Sequence, residues 1–369
     1  MIFFKLSAFY FFYFAALGVY VIFLPQILVD IGYSKFDVGM LLAIAPLMRF
    51  AVPFLFLKYL RLDKNLLKIS VIISLISSIL FYKTIFNFYA FALNNIVLGV
   101  CLSIVLPYIE TIAIRVLGKS KYGKSRLYGS IGFMLIALVL ANFLSSVNIV
   151  INYYLALIFC TAIFSFLLIK YDISYDNIDN TNKKSSFSLM KYWPFWVSLF
   201  LMQVGFGAYY NFFTVYELEY NISIEMTSYL WSFGVICEIL ILYFQAPLLK
   251  NNLLTIIKFC IFITSIRWFL LYMFPSNLYI TFFSQSFHAF SFALYHSAIL
   301  LALYSLYKDK KLAQQFMFGV AYGLGGFMGA FISGWFYGKN LFLYDSMITL
   351  LAFITLFFLK NRRKYIKNR

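Results

Sequence analysis

The sequence predicts an all-α membrane protein: twelve transmembrane helices in two parallel, pseudo-symmetric six-helix bundles, with both termini in the cytoplasm. Three observations predict it. Apolar runs of about 20 residues, enough to cross a ~30 Å hydrocarbon core, recur from end to end. Basic residues collect in every second loop. One stretch of the first half returns in the second at a constant offset. Of 369 residues, 63% are hydrophobic and 12% charged, whereas soluble domains average roughly 45–50% and 25%. No polar stretch is long enough to form a separate soluble domain.

The apolar runs place spanning segments at 6–29, 37–57, 66–84, 87–115, 127–147 and 150–170, then at 193–217, 226–247, 253–273, 277–306, 314–338 and 342–360. The first carries one lysine and no convincing cleavage site, so it reads as a retained helix. Spans this long exclude a β-barrel, since backbone groups in lipid must be satisfied within the chain. The most polar stretch, 171–192, is the expected linker between bundles 1–170 and 193–369.

A net charge of +17 invites a nucleic-acid reading, but the positions of the charges argue against it. Lys58, Arg61, Lys64 and Lys68 form one basic loop; Lys119, Lys121, Lys124 and Arg126 a second; Lys183, Lys184 and Lys191 a third; Lys308, Lys310 and Lys311 a fourth; the tail 360–369 is also basic. The intervening loops hold little beyond Lys35, Lys83 and Lys339. This alternation is the positive-inside pattern of a multi-pass inner-membrane protein. No basic patch is interleaved with stacking aromatics on a polar domain, so nucleic acid is not an expected partner.

Residues 18–49 and 207–238 align without a gap at an offset of 189: Gly18 meets Gly207, Tyr20 meets Tyr209, Asp30 meets Glu219, Ser34 meets Ser223, and Arg49 meets Glu238. Six segments separate the partners, so both copies run in the same direction. Parallel repeats about an axis along the membrane normal are one architecture of secondary transporters. Chance similarity between apolar segments is the alternative.

Ionisable residues inside a span are costly, and they face the bundle interior with a partner. Counting at 1.5 Å per residue, Glu238, Arg267 and His288 lie 12, 14 and 11 residues into segments 8, 9 and 10, all near mid-membrane in the second half. A carboxylate, a guanidinium and an imidazole at one depth suit proton coupling, and arginine also grips carboxylates in a bidentate fashion. A structural ion pair is the plainer alternative. His296, eight residues beyond His288, is expected about 80° around the helix, either as a relay or in packing. In the first half, Arg49 is expected to pair with Glu110, with Arg115 or Arg126 as alternatives that share the carboxylate. Gln26, Asn94, Asn95, Gln203, Tyr209, Tyr210 and Asn211 are candidate cavity groups, with interhelical hydrogen bonding as the alternative for each. Gly129, Gly132 and the glycines at 319, 323, 325, 326 and 329 allow close helix packing, and Pro25, Pro46, Pro53 and Pro107 mark kinks.

Cys101, Cys160, Cys237 and Cys260 lie inside apolar spans with no CxxC spacing, so neither a metal site nor a disulfide framework is expected. No phosphate-binding loop, HExxH or catalytic carboxylate pair is found. The sequence calls for no cofactor and no enzymatic activity.

Several of these stretches resemble the phenylpropionate permease group of the major facilitator superfamily, related to lactose permease and nucleoside–proton symporters. They are YFFYFAALGVYVIFLPQIL and GYSKFDVGMLLAIAPLMRF at the start, LPYIETIAIR and YGKSRLYGSIGF in segments 4 and 5, and YLWSFGVICEI, SIRWFLL, FHAFSFALYHSAIL and QQFMFGVAYGLGGFMGAFISGWFYG in segments 8–11. The resemblance implies a monomeric proton symporter of the bacterial inner membrane, rocking two halves about a midplane site to move a small organic solute. It places Glu110, Glu238, Arg267 and His288 in the roles that carboxylates, an arginine and a histidine play in lactose permease. The pattern departs in two places. Residues 288–300 hold no acid after the histidine, and only Asp63 and Lys64 with Arg61 remain of the superfamily's loop signature. The expected solute is an aromatic carboxylate. A nucleoside or sugar symporter and an exporter are alternatives within transport; a receptor or scaffold is the alternative outside it.

Overall fold

The computed structural model describes residues 1–58, 63–172 and 188–359, with side chains at 54–58, 119, 120 and 311 left aside. Most of the predicted linker, Arg61 and the basic tail therefore lie outside the described residues. The chain separates into two compact units, Met1–Thr181 and Asn182–Arg369.

The first unit contains α1 (Ile2–Asp30), α2 (Lys35–Lys58), α3 (Lys64–Thr84), α4 (Phe88–Gly118), α5 (Lys121–Ala141) and α6 (Val147–Ile169). The second contains α7 (Trp193–Val204), α8 (Gly207–Glu219), α9 (Ile224–Phe244), α10 (Leu253–Met273), α11 (Leu278–Leu306), α12 (Leu312–Trp335) and α13 (Leu341–Phe358). Among the described residues, eleven helices are long and apolar enough to cross a membrane; α7 and α8 are each too short. Polar caps fix several starts. Asp63 accepts from the N–H of Leu66, Asn87 from Ala90 and Asn277 from Ile280, which satisfies orphan donors that lipid would leave bare.

The burial pattern of α3 is that of a helix built for lipid. Ser70, Ser74, Ser77 and Ser78 are at most 4% exposed, whereas Ile69, Ile72, Ile76 and Ile79 on the opposite side are about half exposed. A helix in water has the reverse arrangement, because a continuous isoleucine face would be left wet. In lipid, small polar residues serve as the close-packing face. The Asn94 amide of α4 docks there, donating to the Ser77 carbonyl at 2.9 Å.

Where the sequence predicts one segment over 193–217, the structure has two helices separated at Gly205 and Phe206. The carboxylate of Asp345 on α13 accepts from the Ala208 N–H at 3.0 Å and so caps the start of α8. The backbones of α8 and α12 nearly touch: a Cβ on Gly207 would stand 2.3 Å from the Gly329 carbonyl oxygen. No side chain fits there, which accounts for the glycines on both helices.

The 189-residue offset is visible as geometry. At the end of α1, Ile31 N–H donates to Ile27 O, Gly32 to Val29 O and Tyr33 to Leu28 O; at the end of α8, Tyr220 donates to Tyr216 O, Asn221 to Leu218 O and Ile222 to Glu217 O, all at 3.0–3.2 Å. Gly32 and Asn221 both have positive φ, +103° and +62°, the left-handed conformation that ends helices. The hydroxyls of Ser34 and Ser223 then accept from the N–H groups of Asp37 and Met226. One helix–turn–helix unit is thus built twice, bond for bond.

In the first unit, α1 and α5 pack so closely that a Cβ on Gly132 would lie 2.2 Å from the Phe11 carbonyl oxygen. Gly132→Leu is expected to destabilise the protein by about 1–3 kcal/mol or more through overpacking, read as a lower thermal unfolding temperature in detergent. Gly123→Ala, where an added Cβ meets nothing within 4 Å, is the control and should match wild type.

Candidate functional site

Four of the sequence-predicted residues, Arg267, Glu238, His288 and Tyr209, meet in the second unit. Arg267 on α10 is fully buried; Glu238 on α9 and His288 on α11 are 9% and 5% exposed. One guanidinium nitrogen of Arg267, Nη1, lies 3.1 Å from His288 Nδ1, and Nη2 donates to Gln285 Oε1 at 2.6 Å. His288 Nε2 stands 3.5 Å from Glu238 Oε2. Tyr209 on α8 donates to the same Gln285 oxygen at 3.1 Å. The guanidinium carbon sits 4.2 Å from the Tyr209 ring centre and 4.5 Å from that of Trp268, a cation–π cradle for a charge with no hydration.

The hydrogen-bond inventory fixes a proton. A guanidinium only donates, so His288 Nδ1 must accept and carries no hydrogen. The ring hydrogen is then on Nε2, facing Glu238. A doubly protonated His288 would direct an N–H at the guanidinium, and this packing does not permit it. Arginine and glutamate are therefore bridged through a neutral imidazole. Arg267 Nε has no hydrogen-bond partner among the described residues. The group thus retains one free donor for a further acceptor.

Gln285, the shared acceptor, is fully buried and was not among the sequence candidates. A neutral amide in an apolar span gives no charge signal. Its only mark is its place three residues before His288, on the same helical face.

His296 is held apart from this group, its Nδ1 2.6 Å from the Tyr322 hydroxyl. The expected 80° rotation from His288 is not what the structure has. A π-helical turn over Ala289–Leu294 widens the helix, and His288, Phe292 and His296 form one ladder with stacked rings 5.5 and 6.3 Å apart. Such turns concentrate at functional sites.

The remaining candidates stay apart. Glu110 pairs with Arg126, at 3.5 Å, and accepts from the Tyr122 hydroxyl; the Arg126 guanidinium also covers Phe14 at 3.7 Å. The expected Arg49–Glu110 pair is absent among the described residues: Arg49 is exposed, and Arg126 already occupies the carboxylate. Arg115 instead reaches Asp172 at 3.7 Å. Gln26 donates to Asp30 of its own helix, Asn95 accepts from Tyr20, and Asn211 donates back to the Gly207 carbonyl. Tyr210 stacks on Phe206. The side chain of Gln203 is packed against the backbone at Gly325.

A helical chain of apolar spans, with a buried cluster of charged and polar groups in one unit, matches one family model over residues 3–345. The chain belongs to the MFS_1 like family. It is a multi-pass membrane transport protein with the major facilitator fold. No curated protein matches it by sequence. Among solved structures, this MFS_1 like chain resembles a variant of the nucleoside transporter NupG, with 14% identity, a TM-score of 0.74, and 98% of this chain and 100% of the other covered. It also resembles a variant of the peptide transporter POT in complex with alafosfalin, with 9% identity, a TM-score of 0.74, and 97% and 92% covered. The inward-open xylose transporter XylE from E. coli gives 10% identity, a TM-score of 0.69, and 98% and 97% covered. At these identities the likeness is one of fold.

Gln285→Leu removes the acceptor shared by Arg267 and Tyr209 and is expected to cost about 1–3 kcal/mol, the penalty for stranding buried donors. Gln285→Glu keeps an acceptor and should recover most of the loss. Thermal unfolding of the purified protein reads both, and a leucine variant as stable as wild type would remove Gln285 from the hub.

Proposed function

We propose that this chain is a proton-coupled symporter of the bacterial inner membrane, acting as a monomer and importing a small organic anion of the aromatic carboxylate class by alternating access. In this reading the broken pair α7 and α8 together make a twelfth crossing, which brings both termini to the cytoplasmic side. The two bundles are parallel six-helix repeats, and the relationship is to the phenylpropionate permease group.

The observation that carries the proposal is the bridge from Arg267 through neutral His288 to Glu238. In this packing His288 accepts a second proton only if Arg267 releases Nδ1. A carboxylate that draws the guanidinium away frees that nitrogen, so solute and proton arrive together. Proton entry and anion binding are then linked by a single hydrogen bond, which is the requirement for symport. NupG, POT and XylE are described as nucleoside, peptide and xylose transporters. A nucleoside or sugar is the second reading, favoured by the fold likeness to NupG and by the aromatic surroundings of Tyr209, Tyr210 and Trp231.

The test is uptake of labelled aromatic acids, nucleosides and pentoses into proteoliposomes, with and without an inside-alkaline pH gradient. Aromatic acids are expected to accumulate only with the gradient. Accumulation that ignores the gradient would exclude proton coupling. Glu238→Gln should keep exchange and lose uphill uptake. Arg267→Lys should weaken apparent solute affinity about tenfold, or ~1.4 kcal/mol, because lysine lacks the planar donor fork.

A further inference from the structure

Glu217 on α8 is fully buried, and neither carboxylate oxygen has a hydrogen-bond partner among the described residues. The Glu238–His288–Arg267 group does not use it. Among the described residues it takes part in no ion pair. An ionised carboxylate so placed has neither water nor a counter-charge, a state that buried acids do not hold.

Its surroundings are specific. The Trp231 indole of α9 donates to the Thr214 hydroxyl of α8 at 3.2 Å. Three residues along each helix toward their connecting turn, the same register reaches Glu217 and Ser228. Ser228 is also fully buried, and its hydroxyl is likewise without a partner. Serines inside helices ordinarily bond back to the preceding turn, as Ser78 does to Ser74. Two unmatched polar groups thus lie at one level of one helical hairpin. No hydrogen bond joins the two in this packing; a serine hydroxyl can donate to either form of a carboxyl, but only the neutral form can also donate to the hydroxyl.

The repeat shows that packing does not require an acid here. Residue 28 is the counterpart of Glu217 at the 189-residue offset, and both carbonyls accept the same turn-closing bond, from Tyr33 and Ile222. The first copy has Leu28, completely buried. The second has replaced an apolar side chain with a carboxyl at a matching backbone site.

We propose that Glu217 is a second proton-binding site within the membrane, separate from the Glu238–His288–Arg267 group, and that its neutral carboxyl with Ser228 is the proton-loaded state of the α8–α9 hairpin. The groups around it are few. Tyr216 adjoins it in sequence, with Tyr272 of α10 beyond. Glu219 is engaged by the Tyr337 hydroxyl at 2.7 Å. Asp345 of α13 is held on the Ala208 N–H. α9 presents Ser228, Trp231 and Ser232, and α12 presents no titratable side chain over 326–335. Release of the proton requires the hairpin to part and admit water.

The test is pH-difference infrared spectroscopy on the purified full-length protein in lipid nanodiscs, with Glu217→Gln, Glu217→Leu, Ser228→Ala and Glu238→Gln variants. Wild type should show the carbonyl band of a neutral carboxyl in dry surroundings. The band should be lost in both Glu217 variants, shifted by Ser228→Ala and kept in Glu238→Gln. Glu217→Leu copies the first unit and should fold with an unfolding temperature at or above that of wild type. Retention of every carboxyl band in both Glu217 variants would overturn the proposal. So would loss of the band on adding sodium at fixed pH, which would assign the site to a metal cation. Because Glu238→Gln is read separately, failure at Glu217 and failure of the symport reading give different spectra.

Discussion

Lipid supplies no hydrogen bonds, so every polar group inside the spans must find its partner within the chain. Most of the structure follows from that constraint. The serine face of α3 is turned inward, and its isoleucines outward. Where the backbone breaks, between α7 and α8, a carboxylate comes from α13 to meet the exposed N–H. Where a guanidinium is buried, a glutamine, an imidazole and two aromatic faces surround it. Among the described residues, the buried charged groups left with an unpartnered atom are Arg267 and Glu217; the other unpartnered atoms belong to neutral hydroxyl, amide and indole groups.

The repeated turn separates architecture from function. Gly32 and Asn221, with the capping serines two residues later, close the same three backbone bonds in both units. Those bonds define where a helix ends and the next begins, and they are indifferent to side chains beyond the turn itself. What sits on that shared scaffold differs: Leu28 against Glu217, and Arg49 against Glu238. The first unit has kept its acid–base pair, Glu110 with Arg126, half-exposed and beside aromatic rings. The second has placed its charges where water does not reach.

Much of this was legible in the sequence. Apolar run length gave the helices, and counting depth from their ends placed Glu238, Arg267 and His288 at one level, where they meet. Tyr209 was legible as a polar residue in an apolar span. Four failures have physical causes. Gln285 has no charge, so no cost argument singles it out. Glu217 and Asp345 lie near segment ends, and depth counting treats segment ends as wet; the break at Gly205 and the tight turn at Asn221 keep them dry. The rotation of His296 was computed for an unbroken α-helix, and a π turn overrides it. Arg49 was paired with Glu110 by charge, with Arg115 or Arg126 only as a sharer, whereas Arg126 holds the carboxylate and Arg49 is exposed.

Among the described residues, π turns lie at Val19–Phe23, Ala289–Leu294 and Phe318–Gly325, and each sets the phase of the helix beyond it. An i→i+5 turn holds more residues than an α-helical one, so side chains past it leave the faces that a 3.6-residue count assigns. The partners of His296 are thus fixed by backbone hydrogen bonds one turn away as much as by its own ring.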